Sequence, residues 1–152
     1  MAKRFTPRQL KAAKLSGTWG VIVGATTLII NAAPSTALII LAIIIPLSLL
    51  VPVVIGFITA RDDSKNKKVG TGEAVKRTAP IGVVYALVMI AIGLFFTVFN
   101  YMVAALVWGD GDILIEGILV VVGTLIIGLP VMAIIGVLGA AIGGAIYSVT
   151  KK

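Results

Sequence analysis

The chain has 152 residues, of which 59% are hydrophobic and 12% are charged, and its net charge of +7 comes from 13 Lys plus Arg against 6 Asp plus Glu. A water-soluble globular domain is excluded, because about 25% of the residues in such domains are charged. The absence of Cys and His removes disulfides, thiolate nucleophiles and the usual zinc and haem ligands. We therefore predict a non-enzymatic protein without a metal or cofactor, and the positive charge indicates an anionic partner.

Residues 1–15 form a basic leader that carries five positive charges and no acidic residue. Thr6 fits an N-cap, Pro7 fits the first helical position, and Gln9 completes a Thr-x-x-Gln capping box. This pattern predicts an amphipathic helix that begins at Pro7. Two interpretations of that helix stay open: a solvated leader, or a helix that lies on anionic lipid or another polyanion.

Residues 16–60 contain two apolar runs, 16–33 and 36–60, which Pro34 and Ser35 separate. Neither run holds an ionisable side chain, and each is close to the roughly 20 residues that cross a hydrocarbon core of about 30 Å. We predict that 16–60 forms a first helical hairpin.

Residues 61–79 are polar and carry six positive charges, and Gly70 and Gly72 argue against a continuous helix there. We therefore predict a solvated basic loop, followed by a second helical hairpin over 80–149. The last apolar run, from residue 113 to 149, is longer than a bilayer core is thick, and the Gly-Leu-Pro sequence that ends at Pro130 predicts a kink in it.

The expected fold class is all-α. Four long apolar helices of the transmembrane type form two helical hairpins, and the last helix is kinked near Pro130. The whole chain, 1–152, is expected to form a single four-helix domain with both termini on one side of the membrane.

All 13 lysines and arginines fall on one face of this arrangement, because the leader, the 61–79 segment and the C-terminus share that face. The charged residues of the opposite face are Asp110, Asp112 and Glu116. Under the positive-inside rule the basic face is cytoplasmic. We expect it to contact anionic lipid or nucleic-acid phosphates without sequence preference. The predicted contact residues are Lys3, Arg4, Arg8, Lys11, Lys14, Arg61, Lys65, Lys67, Lys68, Lys76, Arg77, Lys151 and Lys152.

The middle of each apolar run lacks Asp, Glu, Lys and Arg. This pattern argues against an ion-coupled transporter, because such proteins place charged residues within their spans. Asn100 is the most polar residue of the spans and is predicted to form an interhelical hydrogen bond. Asp110 and Asp112 are interpreted as helix-capping residues, with calcium ligation as the alternative.

Small residues recur at four-residue spacing, which lets helix backbones approach closely. The pattern leaves open whether the packing is within the bundle or between subunits. The predicted helix-packing residues are Gly20, Gly24, Gly82, Gly136, Gly139, Ala140, Gly143 and Gly144.

In its apolar hairpins, its Gly/Ala-rich last helix and its basic segments 3–14 and 61–77, the chain resembles the small hydrophobic capsid or virion-membrane proteins of spindle-shaped archaeal viruses. The resemblance is one of architecture and contains no motif from which a functional residue can be carried over. It implies a self-assembling structural protein of a membrane or shell, with copies of itself, lipid and DNA as partners. The basic face would then lie toward the virion interior.

Two other classes of function stay open. A holin-type pore former is also small, multi-span and basic at its ends, and it would permeabilise a membrane. An accessory subunit or small transporter of a membrane complex would co-purify with larger proteins. The uncharged spans and the small-residue ridges favour the self-assembling structural protein.

Overall fold

The structure, a computed structural model, describes residues 6–63 and 69–150. This part of the chain is helical and contains no strand, so the predicted all-α bundle of long apolar helices is confirmed. A short 3-10 turn connects the first two helices, and a π turn at Thr124–Gly128 makes the last two helices one continuous span. The helices are α1 (Pro7–Ala32), α2 (Ala37–Asp63), α3 (Thr71–Trp108), α4 (Asp112–Gly123) and α5 (Leu129–Thr150).

The N-terminus of α1 has the predicted capping box. The hydroxyl of Thr6 accepts a hydrogen bond from the Gln9 backbone N–H at 3.3 Å, and the Gln9 side chain accepts one from the Thr6 N–H at 2.9 Å. Pro7 occupies the first helical turn, so the predicted helix start is confirmed. The helix then continues to Ala32, because nothing in the sequence after the leader breaks it, and the basic leader and first apolar run form a single helix.

The prediction of a loop over residues 61–79 is wrong at both ends. α2 extends through residues 61–63, and α3 already begins at Thr71, so the second hairpin starts before residue 80. Ala74 and Thr78 are buried against α5, and Glu73 forms an ion pair with Arg77 one turn later. This packing outweighs the weak helix propensity of the glycines, and Pro80 lies inside α3.

Consecutive spans run antiparallel, and α3 lies at the centre of the bundle, where it contacts all four other helices. α1 packs chiefly along α3, and α2 packs chiefly along α5. The two hairpins therefore interlock, each burying its helices against the other. Five apolar residues from three helices form the buried core cluster: Ala12, Ile55, Ile81, Tyr85 and Met89.

The fourth span, Asp112–Thr150, has 39 residues and is about 58 Å long. At the position of the predicted kink near Pro130, the structure has a π turn at Thr124–Gly128, in which the backbone N–H of Leu129 bonds to the carbonyl of Thr124. Pro130 has no N–H to donate to the carbonyl one turn before it. A π turn absorbs such a mismatch without ending the helix.

Candidate functional site

Two contacts bring four helix termini to one end of the bundle. Lys11 on α1 forms an ion pair with Asp62 near the end of α2. Ser148 near the end of α5 donates a hydrogen bond to the Thr71 hydroxyl at the start of α3, at 3.0 Å. We call this end of the bundle the basic end, because it contains every Lys and Arg that the structure describes: Arg8, Lys11, Lys14, Arg61, Lys76 and Arg77.

These six side chains are all exposed. Lys11 and Arg77 are paired with carboxylates, whereas Lys14 and Lys76 have no ion-pair partner among residues 6–63 and 69–150. Unpaired surface cations of this kind attract polyanions and increase the rate at which polyanions associate with the protein. The other predicted contact residues lie outside the described residues: Lys3, Arg4, Lys65, Lys67, Lys68, Lys151 and Lys152.

The opposite end of the bundle contains the acidic turn between α3 and α4. Gly109 ends α3 in the left-handed conformation, with φ 66°, and its N–H bonds to the Ala105 carbonyl. The Asp110 carboxylate accepts a hydrogen bond from the Asp112 backbone N–H at 2.9 Å, whereas the N-cap of α4 is Gly111 and makes no side-chain capping bond. In the described ranges, no group of three or more acidic, His or Cys residues could hold a metal ion.

The small residues of α5 lie against α2 and α3. A methyl group added at Gly82 on α3 would collide with the backbone of Gly136, and one added at Gly143 would collide with the Val53 carbonyl on α2. One added at Gly139 would lie 2.8 Å from the Pro52 ring. The small-residue side of α5 is therefore covered by this chain itself, and it includes Gly136, Gly139, Ala140, Gly143 and Gly144.

The small residues of α1 face α3. A methyl group at Gly20 would lie 2.7 Å from the Ile92 side chain, and one at Gly24 would overlap the Phe96 ring. All eight predicted helix-packing residues thus lie at contacts between helices of one chain. At two further glycines, Gly56 and Gly117, an added methyl group would lie less than 3.0 Å from another helix, and these two were not predicted from the sequence.

Gly56 lies against the backbone of Ala140, and Gly117 lies against the ring of Tyr101, 2.8 Å from the position of an added methyl group. The spacing of Gly56 to Ala60 repeats the small-residue pattern of the other helices and could have identified Gly56. Gly117 has no small partner one turn away on either side, and nothing in the sequence marks it.

Polar side chains within the spans bind other helices. Asn100 accepts a hydrogen bond from the Asn31 amide of α1 at 3.2 Å, so the predicted interhelical bond is confirmed. Asn100 also donates to the Phe96 carbonyl at 3.0 Å. The Trp19 indole N–H donates to the Ser48 hydroxyl of α2 at 3.1 Å. These bonds fix α1 to both of its neighbours.

The outer surface of the bundle is aliphatic. Four helices are long and apolar enough to cross a membrane. Their large side chains remain exposed along most of their length, as at Leu38 (83% exposed) and Leu106 (82%). An exposed apolar surface of this extent marks contact with a membrane or with other protein surfaces.

Comparisons of the chain with protein-family models, curated proteins and solved structures found no match. Its function must therefore be inferred from its own surfaces, interior and charges. The basic end, the aliphatic exterior and the close-packed interior are the three features available for that inference.

Proposed function

We propose that this chain is a non-enzymatic structural protein that crosses a membrane four times and assembles with copies of itself. Its basic end lies on the cytoplasmic or virion-interior side and binds the phosphates of anionic lipid or nucleic acid. The observation that carries the proposal is the segregation of charge: every described Lys and Arg lies at one end of a bundle whose sides are aliphatic.

The membrane assignment follows from the exposed side chains. Exposing apolar surface to water costs about 25 cal/mol per Å². The exposed face of α2 alone includes Leu38, Ile39, Ile43, Ile45 and Leu50, each at least 56% exposed. Hydrocarbon chains surround such residues without this penalty, and the basic end meets the lipid head groups.

The close-packed interior supports a structural role. Backbone contacts such as Gly82 with Gly136 fill the space between α3 and α5, where an ion path would need room. The described middle of each span also contains no Asp, Glu, Lys or Arg, the residues that carry coupled ions or protons. The described membrane-crossing helices therefore have a structural role: they pack against one another and hold the bundle in one arrangement.

Contacts between copies would use aliphatic surfaces rather than the small-residue ridges. Those ridges already lie inside the chain. The broad uncovered faces of α2 and α4 remain available for side-by-side packing, since α4 contacts only α3 and the adjoining π turn. Assembly of this kind depends on van der Waals packing between helices.

Topology can be tested with single cysteines, because the chain has no natural Cys. Gly72 at the basic end and Gly111 at the acidic end form a matched pair, since both are exposed and an added side chain meets nothing within 4 Å at either. A membrane-impermeant maleimide applied to intact cells should label Gly111→Cys but not Gly72→Cys. Permeabilised cells should label both. Labelling of Gly72→Cys alone in intact cells would reverse the orientation, and failure of the protein to float with membranes would overturn the membrane assignment.

Self-assembly can be tested on the purified full chain in mild detergent. We expect a multiple of the 15.7 kDa chain mass by native mass spectrometry, and a lattice or filament of one subunit in electron micrographs of native membranes or particles. A single copy bound to larger proteins would make the chain an accessory subunit. Dye release from cells upon expression, with an isolated ring in micrographs, would instead make it a pore.

A further inference from the structure

A cleft separates α1 from α4, with α3 as its floor. Both helices pack on α3, yet no described Cα of α1 lies within 8 Å of a Cα of α4. The space between them is a cavity of about 490 Å³. Small-molecule sites in proteins typically measure roughly 300–1,000 Å³, so the cleft has the size of a ligand site.

The inner part of this cleft is apolar. Gly20 and Val23 of α1 face Met89 and Gly93 of α3 there, near the middle of the spans. Gly93 leaves the floor open, since a methyl group added to it would meet nothing within 4 Å. This part of the cleft suits a hydrocarbon chain.

The polar lining residues all lie in the outer part of the cleft, toward the C-terminal end of α1, where the apolar Ala104 and Ile113 also line it. Thr27 and Asn31 of α1 line it together with Thr97, Asn100 and Tyr101 of α3. The cleft thus changes from apolar at mid-span to polar at the end of α1. A lipid in the membrane leaflet at the acidic end has the same order, with its chains toward the centre and its polar groups at the surface.

Three polar atoms in this outer part have no hydrogen-bond partner in the described part of the chain: the side-chain carbonyl oxygen of Asn31 and the hydroxyls of Thr97 and Tyr101. Polar atoms that face hydrocarbon without a partner are unfavourable. A ligand with ester or hydroxyl oxygens would supply those partners, since a hydroxyl both donates and accepts.

The charged residues near the cleft determine which lipid head groups can bind there. The lining residues include no Asp, Glu, Lys or Arg. Beyond Asn100, α3 continues about 12 Å to Trp108, so the hairpin tip of α3 and α4 stands above the mouth of the cleft. This tip carries Asp110, Asp112 and Glu116, which repel an anionic head group.

We propose that the cleft binds one zwitterionic glycerolipid from the leaflet at the acidic end of the bundle. One hydrocarbon chain lies along Val23, Met89 and Gly93, and the glycerol oxygens bond to Thr97 and Tyr101. The proposal rests on the membrane-spanning function proposed above.

The test uses the purified full chain in nanodiscs that contain phosphatidylcholine with a photoreactive diazirine in one acyl chain. After irradiation, the attached lipid should map by mass spectrometry to peptides that contain Val23 and Met89. Gly93→Leu fills the floor of the cleft and should lower this labelling by about tenfold or more, a change of ~1.4 kcal/mol in binding. Gly123→Leu is the matched control, because Gly123 also meets nothing within 4 Å but does not line the cleft.

A second variant tests the polar contacts without filling the cleft. Thr97→Val with Tyr101→Phe removes both hydroxyls and should reduce labelling by several-fold while circular dichroism stays unchanged. Replacing the probe by an anionic phosphatidylglycerol of the same chain should also reduce labelling. Uniform labelling over all outer helix faces, or equal labelling of Gly93→Leu and Gly123→Leu, would overturn the lipid site. Cysteine labelling and flotation would in that case still report a membrane protein with Gly72 and Gly111 on opposite sides, so the two proposals fail separately.

Discussion

The hydroxyl of Tyr85 donates a hydrogen bond to the backbone carbonyl of Ser48 at 2.9 Å. In an uninterrupted helix this carbonyl would accept from the N–H four residues later, but that position is Pro52, which has none. A fully buried side chain of α3 thus replaces the hydrogen bond that α2 lacks. The Ser48 hydroxyl at the same level accepts from Trp19, so three helices meet at Ser48.

Removal of the Tyr85 hydroxyl should destabilise the bundle. Tyr85→Phe leaves the Ser48 carbonyl without a partner in an apolar environment, and we expect a loss of about 1–3 kcal/mol in the free energy of unfolding. The measurement is unfolding of the purified chain in mixed micelles of increasing denaturing detergent. Tyr101→Phe, measured in micelles that contain no glycerolipid, is the control, because the Tyr101 hydroxyl has no partner in the described ranges.

Pro52→Ala supplies the missing N–H to the Ser48 carbonyl. In that background Tyr85→Phe should cost clearly less than in the natural chain, which a double-mutant cycle measures as a coupling energy. Equal losses in both backgrounds would show that the Tyr85 hydroxyl stabilises the chain by another contact.

Substitution at the closest approach of α3 and α5 should also be destabilising. A methyl group at Gly136 would collide with the Gly82 carbonyl, and crowding of this kind costs about 1–3 kcal/mol. Gly136→Ala should lower the unfolding midpoint in the same micelle titration. Gly93→Ala faces open space and should instead raise it, because Ala favours helix over Gly by roughly 1 kcal/mol. A stabilising effect of both changes would contradict the observed backbone contact.

The hydrogen bond between Asn31 and Asn100 should make a small contribution. Interhelical bonds in membrane proteins average about 0.6 kcal/mol in double-mutant cycles. We expect a coupling energy of about that size between Asn31→Ala and Asn100→Ala in the unfolding titration. Strictly additive losses would show that the two amides do not interact.

The basic end should bind a soluble polyanion with strong salt dependence. Lys14 and Lys76 have no ion-pair partner within residues 6–63 and 69–150, so each is available for a phosphate. With the chain in neutral nanodiscs, fluorescence anisotropy of labelled duplex DNA gives the binding constant at several salt concentrations. Lys14→Gln with Lys76→Gln should reduce the slope of log K against log salt by about two, one for each lysine.

Asp110→Asn with Asp112→Asn is the control for this measurement, because it changes charge by the same magnitude at the opposite end of the bundle. The slope should stay unchanged in that variant. DNA binding that does not depend on salt, or no binding at any salt concentration, would remove nucleic acid as a partner and leave anionic lipid.

Features governed by neighbouring residues could be predicted from the sequence. The capping box at Thr6 and Gln9 is local, and both of its hydrogen bonds are present. Hydropathy identified the four apolar spans, because a run of that length leaves few alternatives to a transmembrane-type helix. The sequence predicts a kink near Pro130, since proline removes a specific backbone donor, but the π turn that precedes this proline was not predicted.

Features governed by distant residues could not be predicted in this way. The start of α3 at Thr71 depends on Thr78 and Ala74 packing where Gly144 leaves space on α5, a contact between residues far apart in the sequence. The cleft depends on α1 and α4 both packing on α3 without contacting each other, and the order of helices around a bundle is not encoded in any local pattern. The hydrogen bond from Tyr85 to the Ser48 carbonyl could not be predicted for the same reason, because its two residues lie on different helices.

The contact between Gly82 and Gly136 has a mechanical consequence. If α5 slid along α3 by one helical turn, either Met132 or Ala140 would replace Gly136 opposite Gly82, and their side chains would strike the backbone there. The two helices therefore have a single vertical setting, and α2 is held to it through the Pro52 and Val53 contacts of α5. The contacts among α2, α3 and α5 therefore fix one relative position for these three helices, and α1 and α4 pack on α3 as the two walls of the cleft.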